Sequence, residues 1–265
     1  MKRSEWEKRI QRAIELGERF AFASEILAFY RQVLEFQKTI HQEMSSQSLP
    51  DDKPDGSFRE RLDIDVALRG LPELLSLVQR NGPAKLAEQA GEIGGFNPEQ
   101  QRQILEDFLL GDDGDRGPNA FFARVLLQPH AEHLASGQPA QPAGSAGSAC
   151  PICGARPQAA VLRPEGDGGK RFLLCSLCLT EWEFRRILCP VCDEGDYQKL
   201  PRYSAEDIAA VRVEACDTCH FYLKSIDLTV DGLAVPLVDE VASVPLDLWA
   251  AEHGYKKAVA NLMGF

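Results

Sequence analysis

The sequence predicts a multidomain α+β protein, in which a helical N-terminal domain is followed by two tandem metal-binding ribbons. Three observations lead to this prediction. All eight cysteines lie in the second half of the chain and form four Cys-x-x-Cys pairs. The first half contains no cysteine and repeats apolar residues at helical spacing. A stretch of small, uncharged residues separates the two halves.

Helical patterning runs through residues 1–135 and begins at Trp6. Pro72 and Pro83 are placed to begin helices, because proline is tolerated in the first turn, where its missing N–H costs nothing. Asn97, followed three residues later by glutamine, predicts an N-cap with a capping box. We expect a bundle of six or seven helices, whose apolar stripes form its core. The alternative is that one stripe forms a groove for a partner.

Residues 136–149 contain only Ser, Gly, Gln, Pro and Ala. Such a segment has no large side chain to bury, so we expect a flexible linker and a domain boundary. The segments 150–186 and 187–265 follow as the first ribbon and the second ribbon with a C-terminal extension. Short strand-like runs lie between the cysteine pairs of each ribbon.

The cysteine spacing repeats as C-x2-C-x21-C-x2-C and then C-x2-C-x23-C-x2-C. Two thiolates three residues apart can point from one tight turn toward one ion, and two such turns complete a tetrahedral shell for zinc or iron. The repeat favours two sequential sites over a cross-braced pairing of alternate turns. The candidate ligands are therefore Cys150, Cys153, Cys175 and Cys178 for one ion, and Cys189, Cys192, Cys216 and Cys219 for the other.

Because a shell of four cysteines leaves no open position for water or substrate, we expect the ions to be structural. Catalytic motifs such as a Gly-rich phosphate loop or a nucleophile elbow are not found in the sequence. We therefore predict that the protein is not an enzyme. The rival interpretation is a thiol-redox protein that acts through its Cys-x-x-Cys pairs.

Composition and charge bear on partners and location. The apolar share of 44% is typical of a globular protein, and the net charge of -11 repels phosphates. Arg185, Arg186, Lys199 and Arg202 cluster in sequence, but we interpret them as a solvated face. We predict no nucleic-acid partner, although a nucleic-acid-binding zinc ribbon is a further alternative. The sequence shows neither a secretory signal nor a membrane span, so we expect a cytoplasmic protein with reduced thiols.

Several other residues invite a functional interpretation. The acidic loop Asp112–Asp115 lacks the alternating ligands of a calcium loop, and His130 and His133 have no third ligand in sequence. We assign no function to them. His220, next to Cys219, is a candidate neighbour or alternate ligand of the second metal site, which already has four cysteines without it. Gly154 should provide the positive φ that a metal-binding turn needs, and Asp193 replaces it in the second ribbon.

The C-terminal half resembles the formate dehydrogenase accessory (FdhE) proteins. The similarity rests on the four cysteine pairs, the run Cys175–Trp182, Tyr222–Lys224, and the segments Leu246-Asp247 and Glu252–Tyr255. The resemblance implies a cytoplasmic maturation factor that binds the catalytic subunit of a formate dehydrogenase and is needed for its activity. It also implies rubredoxin-like turns that bind iron through the eight cysteines. The residues themselves leave iron and zinc open.

The segment Val235–Tyr255 alternates apolar and acidic residues. We expect it to pack against the ribbons or to form part of the partner-binding face. The sequence does not predict an oligomeric state.

Overall fold

The computed structural model describes residues 4–45, 57–111, 119–138, 147–166 and 168–265. Most of the expected linker, residues 139–146, and the acidic loop Asp112–Asp115 lie outside the described residues. The described part confirms the α+β fold class, with a helical N-terminal region followed by a sheet region that carries the cysteines.

The N-terminal region forms seven α-helices within the described residues. Their N-terminal turns follow the sequence: Ser4 and Asn97 each form a capping box, and Pro72 lies in the first turn of its helix. The helices are α1 (Glu5–Arg19), α2 (Ser24–Ser45), α3 (Ile64–Leu68), α4 (Leu71–Asn81), α5 (Ala84–Gly94), α6 (Pro98–Leu110) and α7 (Ala120–Ser136).

Helix α7 lies at the centre of the helical region and packs against α2 and α6. It is buried on nearly all sides from Phe122 to Ala131, including the polar Arg124 and His130. A helix that is buried around its circumference has to be enclosed by other elements. The sheet region provides part of that enclosure, because Leu126 and the ribbon residue Leu173 belong to one continuous core.

The C-terminal region contains one mixed sheet with the strand order β3-β2-β1-β6-β5-β4, and β7 pairs with β6. The strands are β1 (Pro157–Glu165), β2 (Gly168–Cys175), β3 (Glu181–Glu183), β4 (Arg202–Ser204), β5 (Val211–Ala215), β6 (Phe221–Asp227) and β7 (Lys256–Lys257). Each ribbon contributes an antiparallel hairpin, β1–β2 and β5–β6. The parallel pair β1–β6, from Ala159 opposite Lys224 to Leu162 opposite Asp227, joins the two hairpins.

Two short helices, α8 (Pro236–Ala242) and α9 (Val244–Glu252), follow the sheet. Helix α8 packs against both α1 and β6, and α9 packs against β5. The segment Val235–Tyr255 therefore packs against the ribbons, which was one of its two expected roles. The guanidinium of Arg12 in α1 contacts Asp239 and Asp231, each at 2.6 Å, so an ion-pair network ties the first helix to the C-terminal extension. None of the described helices combines the length and apolar character that a membrane span requires.

Candidate metal centres

Four turns of the same geometry carry the eight cysteines. In each turn the backbone N–H of the first cysteine donates a hydrogen bond to the carbonyl five residues later. The acceptors are Ala155, Thr180, Glu194 and Phe221, at 2.8, 3.0, 2.9 and 3.0 Å respectively. This closure brings the two cysteines of each pair to the same side of the turn. The internal repeat seen in the sequence is therefore a structural repeat of the turn itself.

The residue that follows the second cysteine has a positive φ in every turn. Gly154 has φ of 74°, and Asp193, its counterpart in the second ribbon, has 60°. Leu179 and His220 occupy the same position with φ of 59° and 57°, although we had not predicted this for either residue. Their position directly after the second cysteine is the signal that could have identified them, because residue type alone does not predict this conformation for leucine.

Replacing Gly154 by alanine should destabilise the protein by about 1 kcal/mol, since an L-residue pays to adopt the left-handed region. No atom of the described residues lies within 4 Å of the Cβ that would be added, so the cost is conformational and not steric. Chemical denaturation of the metal-loaded protein measures the effect. Gly168→Ala is the matched control, because Gly168 also has open space around its Cβ position but no positive φ. Equal stability of the two variants would contradict the explanation.

The first cluster comprises Cys150, Cys153, Cys175 and Cys178, which are all buried. Its Sγ atoms lie 3.6 Å apart between Cys150 and Cys178 and 3.3 Å apart between Cys153 and Cys175. A tetrahedral ion with bonds of about 2.3 Å requires sulfur separations of about 3.8 Å. The backbone N–H groups of Leu177 and Cys178 donate to Cys175 Sγ at 3.3 and 3.4 Å.

The second cluster comprises Cys189, Cys192, Cys216 and Cys219. Its Sγ atoms are 3.7 Å apart both between Cys189 and Cys219 and between Cys192 and Cys216. Unlike the first cluster, it meets the solvent: Cys192 is exposed and Cys219 is half-buried. In both clusters adjacent pairs meet, which is the sequential arrangement and not the cross-braced one.

The chemistry of these sites favours a cation. Burial raises the pKa of the Cys175 thiol well above its ordinary value and raises that of Cys189 to about 11. Gathered thiolates without a counter-ion would repel one another, whereas a divalent ion at the centre stabilises all four. Within the described residues, no histidine or carboxylate belongs to either four-cysteine group. The two groups can therefore hold two metal ions with sulfur ligands alone.

A buried ion pair links the two ribbons next to the second cluster. Arg171 in β2 contacts Glu214 in β5, with 2.9 Å between Nη2 and Oε2, and also donates to the carbonyl of Arg185. Burial raises the pKa of Glu214, but Arg171 and Arg212 reverse this shift and lower the pKa below its ordinary value. The carboxylate is therefore ionised and the guanidinium holds the loop that precedes Cys189. We had not predicted this contact, because the residues are 43 positions apart.

The other residues considered from the sequence lie outside the clusters. His130 is buried, and burial lowers its pKa to about 4. His133 packs edge-on against His41 with 5.6 Å between ring centroids. His220 is exposed and faces Tyr255 at 6.3 Å.

The expected basic face is exposed at all four positions, Arg185, Arg186, Lys199 and Arg202. Arg202 donates to the carbonyl of Arg186, and Lys199 lies 3.5 Å from Glu194. The side chains of Arg202 and Lys199 therefore have partners within the protein.

Comparison with protein families gives two matches. Residues 149–186 match the FdhE central domain, and residues 187–263 match the FdhE C-terminal domain. A crystal structure of the FdhE protein from Pseudomonas aeruginosa superposes on 99% of this chain and 97% of that chain, with a TM-score of 0.71 and 24% identity. This structural similarity shows a shared fold over nearly the whole length, including the helical region.

Relatives extend the match beyond the cysteines. An FdhE homologue from Aquifex aeolicus is 30% identical over 278 residues, which cover all of this chain and 97% of that protein. An FdhE homologue from Pseudomonas aeruginosa is 35% identical over 62% of this chain and 56% of its own length. The FdhE protein of Escherichia coli is 30% identical over 60% of this chain and 54% of its own length. Since one of these matches runs from end to end at this identity, the chain belongs to the FdhE family.

Proposed function

We propose that this protein is a cytoplasmic accessory factor for a formate dehydrogenase, and that it binds the catalytic subunit and is needed for the activity of that enzyme. The observation that carries the proposal is the end-to-end similarity to an FdhE homologue, together with two four-cysteine clusters in the matched region. The role itself is the one implied by the resemblance to formate dehydrogenase accessory proteins. The clusters offer sulfur ligands but no open coordination position, so we propose no reaction of its own.

We further propose that the eight cysteines hold two ions, which are iron or zinc. The sulfur separations of 3.3 to 3.7 Å and the sulfur-only donor set fit either metal. An ion in such a site neutralises thiolate charge and, if it is iron, can also carry one electron. The chain fixes the ligands through its four turns and shields the first cluster from water. The second cluster exposes Cys192 and is the one that a partner or a reductant can approach.

A complementation experiment tests the accessory role. The tagged chain is expressed in a bacterium that lacks its own FdhE protein, and formate dehydrogenase activity is measured together with co-purification of the catalytic subunit. We expect activity to return and the subunit to co-purify. Gly168→Ala, an exposed substitution outside both clusters, is the control variant, and it should restore activity as well as the unaltered chain does. If folded, metal-loaded protein neither restores activity nor retains the subunit, the proposal is wrong.

Metal analysis of protein purified without oxygen tests the second proposal. We expect two ions for each chain. Iron would give thiolate charge-transfer bands that bleach on reduction, and zinc would give a colourless protein. Protein that is folded but carries no metal would contradict the proposed sites. This experiment does not depend on the identity of the partner.

A further inference from the structure

A large cavity lies between the helical region and the C-terminal residues. Its volume is about 830 Å³, which falls within the range of small-molecule sites. Ile26 and Phe29 of α2 and Phe121 of α7 line one side, and residues 259–265 line another. Phe29 and Phe121 stack with 6.0 Å between ring centroids. The wall is therefore mainly apolar and has room for an aromatic or aliphatic group.

One buried cation, Arg124, lines this cavity and is only 7% exposed. Its Nε donates to the carbonyl of Ser176 at 3.1 Å, its Nη1 to the carbonyl of Ala260 at 2.7 Å, and its Nη2 to the side-chain oxygen of Gln158. All three acceptors are neutral. In the described part of the chain no carboxylate forms an ion pair with this guanidinium, and two of its five N–H groups have no acceptor.

A buried arginine normally has an anionic partner, because an uncompensated charge in the protein interior is costly. Burial lowers the pKa of Arg124 to about 10, so the group stays charged at neutral pH. The other buried arginines among the described residues follow the rule: Arg9 contacts Glu132, Arg12 contacts Asp239, and Arg171 contacts Glu214. Arg124 differs from them, and it is also the one that lines the large cavity.

A second polar group lies in the same wall. Ser176 is 3% exposed and lines the cavity, and its Oγ has no hydrogen-bond partner among the described residues. A buried hydroxyl is usually satisfied. The unpartnered hydroxyl and the two free N–H groups of Arg124 are hydrogen-bond donors in one cavity, where an acceptor with negative charge would satisfy both.

We propose that this cavity binds a carboxylate attached to an apolar body. The carboxylate accepts hydrogen bonds from Arg124 and the Ser176 hydroxyl, while the apolar body packs against Ile26, Phe29 and Phe121. A free aliphatic acid and the carboxyl terminus of an apolar peptide share this chemistry. The proposal is independent of the accessory role, since it rests on the cavity, on the charge of Arg124 and on the Ser176 hydroxyl.

The first metal cluster is the competing explanation for the buried charge. Ser176 lies between Cys175 and Cys178, so the guanidinium is near a site that carries a net charge of about -2 when four thiolates bind a divalent ion. In that case Arg124 would serve as the counter-charge of the cluster. Its replacement would then weaken metal retention and would not act on ligand binding in the cavity. The experiment has to separate these two roles.

Isothermal titration of the metal-loaded full chain with decanoate and with a short apolar peptide that has a free carboxyl terminus tests the proposal. Decanol and the peptide amide are the neutral probes. We expect a carboxylate probe to bind, and Arg124→Met to weaken that binding about 10- to 100-fold while leaving the neutral probe unchanged. Arg80→Met, the same change at an exposed arginine outside the cavity, should have no effect. Decanoate binding alone identifies a free acid, and peptide binding alone identifies a protein terminus.

A second variant covers the case in which Arg124→Met does not fold. Ile26 is half-buried in the cavity wall, so Ile26→Glu should fold and place a negative charge beside the ligand. We expect it to weaken carboxylate binding at least about 10-fold with both ions retained. The proposal is overturned if neither carboxylate probe binds the unaltered protein. It is equally overturned if Arg124→Met releases the first ion while Ile26→Glu leaves carboxylate binding unchanged.

Discussion

Cys175→Ser is expected to remove the ion of the first cluster and to unfold most of the protein. Cys175 is completely buried. Its Sγ accepts hydrogen bonds from the backbone N–H groups of Leu177 and Cys178 and lies 3.3 Å from Cys153 Sγ. It belongs to the same continuous core as helices α2 and α7. A structural zinc ion can contribute about 10 kcal/mol of apparent binding energy, which is comparable with the whole stability of a domain. Metal analysis measures the loss of the ion, and circular dichroism measures the loss of folded structure.

Cys192→Ser is the matched control, because the chemical change is the same but the residue is exposed. We expect this variant to lose the ion of the second cluster and to keep the helical circular dichroism signal. A chelator added to the unaltered protein should likewise remove the second ion before the first, since solvent reaches only the second cluster directly. Equal loss of helical signal in the two variants would show that the buried position of the first cluster has no special structural role.

Lys224→Met should destabilise the fold by about 3 to 5 kcal/mol, because it leaves two buried carboxylates with Lys257 as their one remaining cation among the described residues. Lys224 is fully buried in β6, and its Nζ lies 2.5 Å from Asp247 and 3.1 Å from Glu240. Lys257 contacts the same two carboxylates, and the hydroxyl of Tyr222 donates to Asp247 at 2.8 Å. Burial raises the pKa of Glu240, but Lys224 and Lys257 together lower it to about 2. Chemical denaturation measures the loss.

Two further variants separate charge from packing. Lys224→Met combined with Asp247→Asn leaves Lys257 opposite Glu240, so the remaining charges balance. We expect the double variant to be at least about 1 kcal/mol more stable than Lys224→Met alone. Lys256→Met, an exposed change in the neighbouring strand, should alter stability by less than about 0.5 kcal/mol. Without recovery in the double variant, the loss would come from packing and not from unbalanced charge.

This network fixes the C-terminal extension in place. Asp247 lies in α9 and Glu240 in α8, and both side chains reach a lysine in the sheet. Deleting the segment Val235–Tyr255 would therefore expose Lys224 and disturb the sheet. For this reason deletion is a poor test of whether the segment also contacts a partner. A single substitution at an exposed position, such as Leu248, is the cleaner experiment.

Local sequence signals predicted the local structure well. The capping box at Asn97 formed as expected, because the side chains and backbone groups it needs lie within one turn. The grouping of adjacent cysteine pairs followed from their repeat, and Gly154 adopted the positive φ that its turn requires. The capping box and the turn depend on residues close together in the chain, whereas the grouping of the cysteine pairs could be predicted because their spacing repeats.

Features that depend on distant residues were not predicted. The parallel pairing of β1 with β6 unites the two ribbons into one sheet, and no short-range pattern specifies it. Leu179 adopts a conformation that its residue type disfavours, because the closing hydrogen bonds of the turn override local preference. The sequence analysis did not single out Arg124, which is buried where it contacts Ser176 of the first ribbon and Ala260 near the C-terminus.

By itself the sequence determined the helical and cysteine-rich regions, the eight candidate ligands and the family resemblance, because periodicity, caps and Cys-x-x-Cys turns are written in short stretches of chain. The tertiary structure decided how deeply each cluster is buried, which charges meet in the interior, and where the chain leaves a cavity beside an unpaired guanidinium. These properties depend on burial and on contacts between residues far apart in the sequence. Desolvation and ion pairing take effect only when the chain has folded.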